Sequence, residues 1–187
     1  MGTQDRSTSG KYVGRYICID PGEETGLSLL EVTGDNEPPK ILRTGSIVYR
    51  GFAIREALCR FYYHGFDPAD GFAATHQVRG LNKVILEKFV HRPGKPFNPT
   101  AYKVMGICEG WHQEFQNGGD PMFEYVERMP VQGKSEADNN VLRRLGLYLP
   151  GHAQRHINDA TRHGVSWLLE RHHRGTALVA KPKEEDD

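Results

Sequence analysis

The first third of the chain alternates apolar and polar positions in short runs separated by turn residues. Tyr12–Asp20 (YVGRYICID) reads as a strand closed by an Asp-Pro-Gly turn. Gly26–Thr33 (GLSLLEVT) reads as a second strand, followed by the Gly34-Asp35-Asn36 and Pro38-Pro39 breakers. Ile41–Tyr49 (ILRTGSIVY) gives a third, and three strands on short turns predict an antiparallel meander. The period then changes. Phe52, Ile54, Leu58, Phe61 and Tyr62 recur at helical spacing, predicting a helix over Phe52–His64. Val84–Val90 (VILEKFV) is a short apolar run of buried-strand type, and His91–Pro99 is a Pro/Gly/basic loop. A helix over Thr100–Gln116, a strand over Met122–Met129, a helix over Ser135–Leu147 opened by a Ser cap, and a long helix over His152–His172 complete the pattern. The order β-β-β-α-β-α-β-α-α is that of a mixed sheet with helices on its faces.

With 187 residues the chain suits one domain with a real core. Flexible tails are expected over 1–11 and over the acidic 176–187, flanking a domain over 12–175. The mean hydropathy of −0.61, and the lack of any apolar run near the ~18–20 residues a bilayer requires, exclude a membrane span. The opening MGTQDRSTSGK has no apolar core of a secretory signal. Cys18, Cys59 and Cys108 are odd in number and lack metal-site spacing, which fits reduced thiols and a cytoplasmic location.

A formal net charge of zero argues at first against a nucleic-acid partner, but the average hides an asymmetry. Residues 128–183 hold ten Lys or Arg against four Asp or Glu, with five histidines besides, and 184–187 are all acidic. A basic third of this kind fits an anionic partner, and it equally fits a solvated helix face.

Three acids carry more information. An unpaired carboxylate within an apolar strand costs several kcal/mol or forces protonation, and this chain has two such acids. Asp20 closes the strand after Ile17 and Ile19, and Glu87 lies inside Val84–Val90. A bound divalent cation would compensate both; a surface acid at a strand end would need no compensation. The third element is His156-Ile157-Asn158-Asp159-Ala160, in which His156 and Asp159 share a helix face that His152 and His163 extend. Ile157, Ala160, Val165, Leu168 and Leu169 supply the apolar face. Alone, this stripe fits a zinc site or a solvated polar face. Zinc is the weaker reading, since no cysteine is near and hard carboxylates dominate.

Taken together, three segments resemble the RuvC-type resolvases and their phage relatives, within the RNase H-like nuclease superfamily. They are Ile19-Asp20-Pro21-Gly22-x-x-Thr25-Gly26, Leu86-Glu87 with Phe89, and His156-x-x-Asp159-Ala160. The resemblance spans about residues 12–172. It implies an α/β RNase H-like fold: a five-stranded mixed sheet, three strands antiparallel and two parallel, with helices on both faces. It implies a divalent-metal-dependent endodeoxyribonuclease of the crossover-junction type, serving DNA recombination and repair. By match, Asp20 would bridge two Mg²⁺ ions (Mn²⁺ substituting), Glu87 would ligate one and Asp159 the other. His156 would assist at the second metal or at the attacking water. Two-ion in-line phosphodiester hydrolysis accords with carboxylates that remain ionised beside Mg²⁺. Branched DNA is the implied partner, and symmetric nicking of a junction implies a homodimer, with the Phe52–His64 helix as a candidate face.

Supporting positions are Lys88, Arg92 and Lys95, interleaved with Phe89 and Phe97 after the acidic strand. Lys134 follows Pro130-Val131-Gln132-Gly133, where the resemblance to phage relatives implies a phosphate-contacting lysine, though a surface lysine fits equally; Arg143-Arg144 and Arg155 fit phosphate contacts and an exposed helix alike. Packing explains Phe97 better than base stacking. Bacterial family members carry an aromatic three residues after the glutamate, where this chain has Val90. Rival readings are a flap or fork endonuclease or an RNase H-type hybrid nuclease with the same metal centre, an actin-like ATPase, and a non-catalytic junction-binding protein. The chain is too short for the ATPase and lacks a second phosphate-binding hairpin. A pure binder gains nothing from clustered acids facing phosphate.

Overall fold

The computed structural model describes residues 14–33, 38–62, 81–91, 93–94, 97–117, 124–130 and 137–172. Strands β1 (Gly14–Asp20), β2 (Glu24–Val32) and β3 (Lys40–Val48) form the expected antiparallel meander. Helix α1 (Gly51–Tyr62) follows, then β4 (Leu81–Glu87), helix α2 (Pro99–Asn117) and β5 (Glu124–Arg128). β4 pairs parallel to β1 and β5 parallel to β4, giving a five-stranded sheet of order β3-β2-β1-β4-β5. Parallel neighbours need a crossover, which is why helices lie between β3 and β4 and between β4 and β5. Helices α3 (Asn139–Arg144) and α4 (Arg155–His172) complete the described fold. No helix among the described residues is long and apolar enough to cross a membrane.

Alternation along the strands divides the core in two. Ile17, Ile19, Leu27, Leu29, Val84 and Leu86 face α1 and α2, packing with Ile54, Leu58, Phe61, Val104, Cys108 and Trp111. Tyr16, Cys18, Leu30, Val32 and Ile85 face the other way, against Leu142, Leu147, Ala160, Val165, Trp167 and Leu168. The parity matters for chemistry: Asp20 follows Tyr16 and Cys18, and Glu87 follows Ile85, so both acids are directed to the α4 face.

Two helices differ from the sequence expectation. The one expected over Ser135–Leu147 is shorter, and Asp138 caps it: its Oδ1 accepts from Val141 N at 2.8 Å. Ser135 lies outside the described residues. Gly146, at φ +69, ends that helix, with Leu147 N donating to Leu142 O and Gly146 N to Arg143 O. The last helix was expected from His152; instead His152–Gln154 forms a 3-10 turn after Gly151 (φ +104), and α-helix begins at Arg155. Buried Asn158 secures this entry, donating to Leu149 O at 2.8 Å and accepting from Leu149 N at 3.0 Å.

Candidate active site

Sheet register brings the first two acids together. Ile19 pairs with Leu86, so Asp20 and Glu87 are the next residues of adjacent parallel strands. The Asp-Pro-Gly turn after β1 is tied back by Thr25, whose hydroxyl donates to Gly22 O at 3.2 Å. Close approach of α4 supplies the rest. A Cβ on Gly26, which pairs with Asp20 in β2, would overlap the backbone carbonyl of His156. A Cβ on Gly164 would overlap Cys18 Sγ and stand 2.8 Å from Leu30 Cδ1. Two missing side chains thus let α4 lie on β1 and β2, with His156 and Asp159 over the strand ends.

The result is a cleft of about 470 Å³ lined by Asp20, Glu87, His156 and Asp159, the four residues the sequence motifs singled out. His156 Nδ1 lies 2.9 Å from Asp20 Oδ2. Burial, above all, pushes the Asp20 carboxyl up to about 6; the His156 hydrogen bond opposes the rise, and the charges of Glu87 and Asp159 add to it. The hydrogen bond to Asp20 raises the His156 imidazole, with partial burial working against it and the Asp20, Glu24 and Asp159 charges adding. The cleft therefore holds more negative charge than its burial favours.

Five polar residues that sequence reasoning did not assign to the site also line it: Glu23, Glu24, Asn98, Arg162 and His163. Arg162 Nη1 is 2.8 Å from Asp159 Oδ1, and its Nη2 donates to Asn139 Oδ1 at 2.7 Å. His163, expected on a solvated stripe, is only 2% exposed and places Nε2 2.8 Å from Glu87 Oε2. The signal for both was spacing: they follow Asp159 by three and four residues, the positions that share its helix face. Helix α4 is more enclosed than its amphipathic pattern suggests, because Thr161, Ser166 and Trp167 are buried with the apolar stripe.

The supporting residues divide. Phe89 and Arg155 line the cleft. Phe89 packs edge-on against Tyr102, ring centroids 5.3 Å apart, and Tyr102 stacks on Phe97. Phe97 is 60% exposed, so the packing expected of it covers one face only. Val90, third after Glu87, is exposed. Lys88 pairs with Glu127 at 2.8 Å, and Arg143 lies over the Tyr148 ring; neither lines the cleft. Arg92, Lys95 and Lys134 lie outside the described residues.

A mixed sheet of order β3-β2-β1-β4-β5, with acids at the ends of β1 and β4 and a final helix packed across them, is an RNase H-like fold of the RuvC type. Among solved structures, Thermus thermophilus RuvC matches with a TM-score of 0.53 and 19% identity, over 84% of this chain and 95% of that one. RuvC from T. thermophilus in complex with a Holliday junction substrate matches with a TM-score of 0.52, 19% identity and the same coverage. The yeast mitochondrial Holliday junction resolvase Ydc2 matches with a TM-score of 0.54 and 8% identity, over 88% of this chain and 82% of that one. No family model and no curated protein matches the sequence. At these identities the likeness establishes a shared fold.

Proposed function

We propose that the chain is a divalent-metal-dependent endonuclease that nicks branched DNA, acting as a Holliday junction resolvase. The observation that carries the reading is the convergence of Asp20, Glu87 and Asp159, from two strand ends and one helix, in a single cleft. Mutually repelling, partly buried carboxylates are a standing cost to the fold unless a cation offsets them. The RuvC-type fold supports the reading, and of the solved structures that share it one holds a Holliday junction substrate and another is named a Holliday junction resolvase.

The donor set suits a hard divalent ion such as Mg²⁺ or Mn²⁺: three carboxylates, with one imidazole beside them. Among the described residues no three such groups already stand as a closed cage. One oxygen of each acid is instead engaged by α4, through His156, Arg162 and His163. Asp20, within electrostatic reach of both Glu87 and Asp159, would be shared between two ions, Glu87 holding one and Asp159 the other. When bound, the ions would make a coordinated water more acidic and supply a counter-charge for in-line phosphodiester displacement.

The chain's own groups do the remainder. His156, held through Nδ1 by Asp20, would assist at the second ion or at the attacking water. Arg155, at the mouth, offers a guanidinium to the DNA backbone. Symmetric incision of a four-way junction calls for two such clefts, hence a homodimer.

The test is a cleavage panel with Mg²⁺ or Mn²⁺ on a four-way junction, a flap, a Y-fork and an RNA–DNA hybrid. Paired symmetric nicks on the junction are expected. Asp20→Asn, Glu87→Gln and Asp159→Asn should each abolish nicking while junction binding persists. Near wild-type cleavage by any of the three would refute the site, and preference for the hybrid would refute the resolvase reading.

A further inference from the structure

Helix α4 brings one partner to each of three carboxylates of the cleft: His156 to Asp20, Arg162 to Asp159 and His163 to Glu87. His163 is the most enclosed of the three, and the chemistry above assigns it nothing. Its Nε2 lies 2.8 Å from Glu87 Oε2, while its Nδ1 is buried with no hydrogen-bond partner among the described residues. In the Nε2–H tautomer the orphan atom is a lone pair, less costly to leave unpaired than an N–H. An apolar side chain would fill this place without any orphan. A buried imidazole is accounted for by what it does to Glu87.

The surroundings make that pairing directional. Strand parity points Glu87 beneath α4, and Gly164 allows the helix to sit close enough for the imidazole to reach it. Arg128, which pairs with Glu87 in the neighbouring strand, is anchored on Glu170 and Ser166 of α4. A glutamate has three side-chain torsions, and disorder in them would disperse the oxygens needed opposite Asp20.

We propose that His163 is a positioning residue, whose Nε2–H holds the Glu87 carboxylate in the orientation that faces Asp20 and so sets the cation affinity of the cleft. This rests on the metal-centred reading above. Loss of such an outer partner weakens metal binding by about 10- to 100-fold in metalloproteins generally.

The experiment titrates Mn²⁺ into the full-length chain without DNA, following free Mn²⁺ by electron paramagnetic resonance, with thermal melting and junction nicking alongside. His163→Leu and His163→Asn should weaken Mn²⁺ binding by about 10- to 100-fold, whereas His163→Gln, which keeps a donor at similar reach, should stay within about threefold of wild type. In a Glu87→Gln background, adding His163→Leu should change Mn²⁺ affinity no further. Wild-type Mn²⁺ affinity in His163→Leu, with Glu87→Gln impaired, overturns the positioning role alone. So does a His163→Gln variant as weak as His163→Asn, a comparison that also decides the matter if the leucine variant does not fold. A wild-type chain that binds no Mn²⁺, or a Glu87→Gln variant that binds it normally, overturns the metal-centred reading and this inference with it.

Discussion

Replacing Asp20 by asparagine should abolish nicking and at the same time stabilise the cation-free protein. Asp20 is an acid whose folded-state value rises from 3.8 to about 6, chiefly through burial. The folded chain therefore binds this proton more tightly than the unfolded chain does. Stability contributed by the neutral carboxyl is present at low pH and declines as pH rises from about 4 to about 6. A rise of about two units corresponds to about 3 kcal/mol of ionisation cost above that window. Asparagine removes the charge at nearly constant volume, and the opposing His156 hydrogen bond is already contained in the net rise. A gain of up to about 3 kcal/mol is expected at about pH 8, and for a chain of this size it raises Tm by up to about 6–12 °C.

The assay is thermal or urea unfolding of wild type and Asp20→Asn in chelator. Measurements at about pH 4.5 and pH 8 compare the lower part of that window with a pH above it. The variant should be more stable at the upper pH, and the difference should shrink at the lower. Saturating Mg²⁺ or Mn²⁺ should narrow or reverse the order, since a ligand at 100 times its Kd stabilises the binding form by about 2.7 kcal/mol. A variant less stable than wild type at the upper pH, or a difference indifferent to pH, would refute the reasoning that charge crowding strains this cleft.

Two further outcomes follow from packing. Gly26→Ala and Gly164→Ala should each cost about 1–3 kcal/mol by overpacking, because the added methyl meets the His156 backbone or Cys18; Gly26→Ala should also lower nicking beyond its effect on Tm. Wild-type stability and activity in both would show that α4 does not depend on this close approach. Arg128→Met should cost about 2 kcal/mol by urea unfolding, less than for a fully buried pair because Glu170 retains solvent contact. No loss of stability would mean that the pair is not a tie between β5 and α4.

Strand positions were legible in the sequence because alternation and turn residues agree there. Tyr16, Cys18, Ile85 and their neighbours obey a period of two, and the same parity sends Asp20 and Glu87 to one face. The helix Asn139–Arg144 was less legible: it is a short element framed by an Asp138 cap and a positive-φ glycine, with few turns over which a period can show. The partners of the acids were hidden for another reason. Arg162 and His163 look like surface residues by type, and only the seating of α4 on Gly26 and Gly164 encloses them.

That enclosure explains why charge at this site has to be reasoned about locally. A net charge of zero describes the chain and says little about a cleft where Asp20, Glu87 and Asp159, with Glu23 and Glu24 also in the lining, meet two histidines and two arginines. Each acid taken alone passes as a strand-end or helix-surface carboxylate with water nearby. Brought under α4, they have fewer waters and each other's charge, which is the physical content of the raised Asp20 value. The fold does not relieve this crowding by substituting neutral residues; it adds donors from one helix, one each to Asp20, Glu87 and Asp159. Donors on a single rigid element move together, so a shift of α4 would disturb all three carboxylates at once. Cation binding should accordingly be sensitive to helix seating as well as to the ligands, and Gly26→Ala should weaken Mn²⁺ binding even though Gly26 contributes no ligand atom.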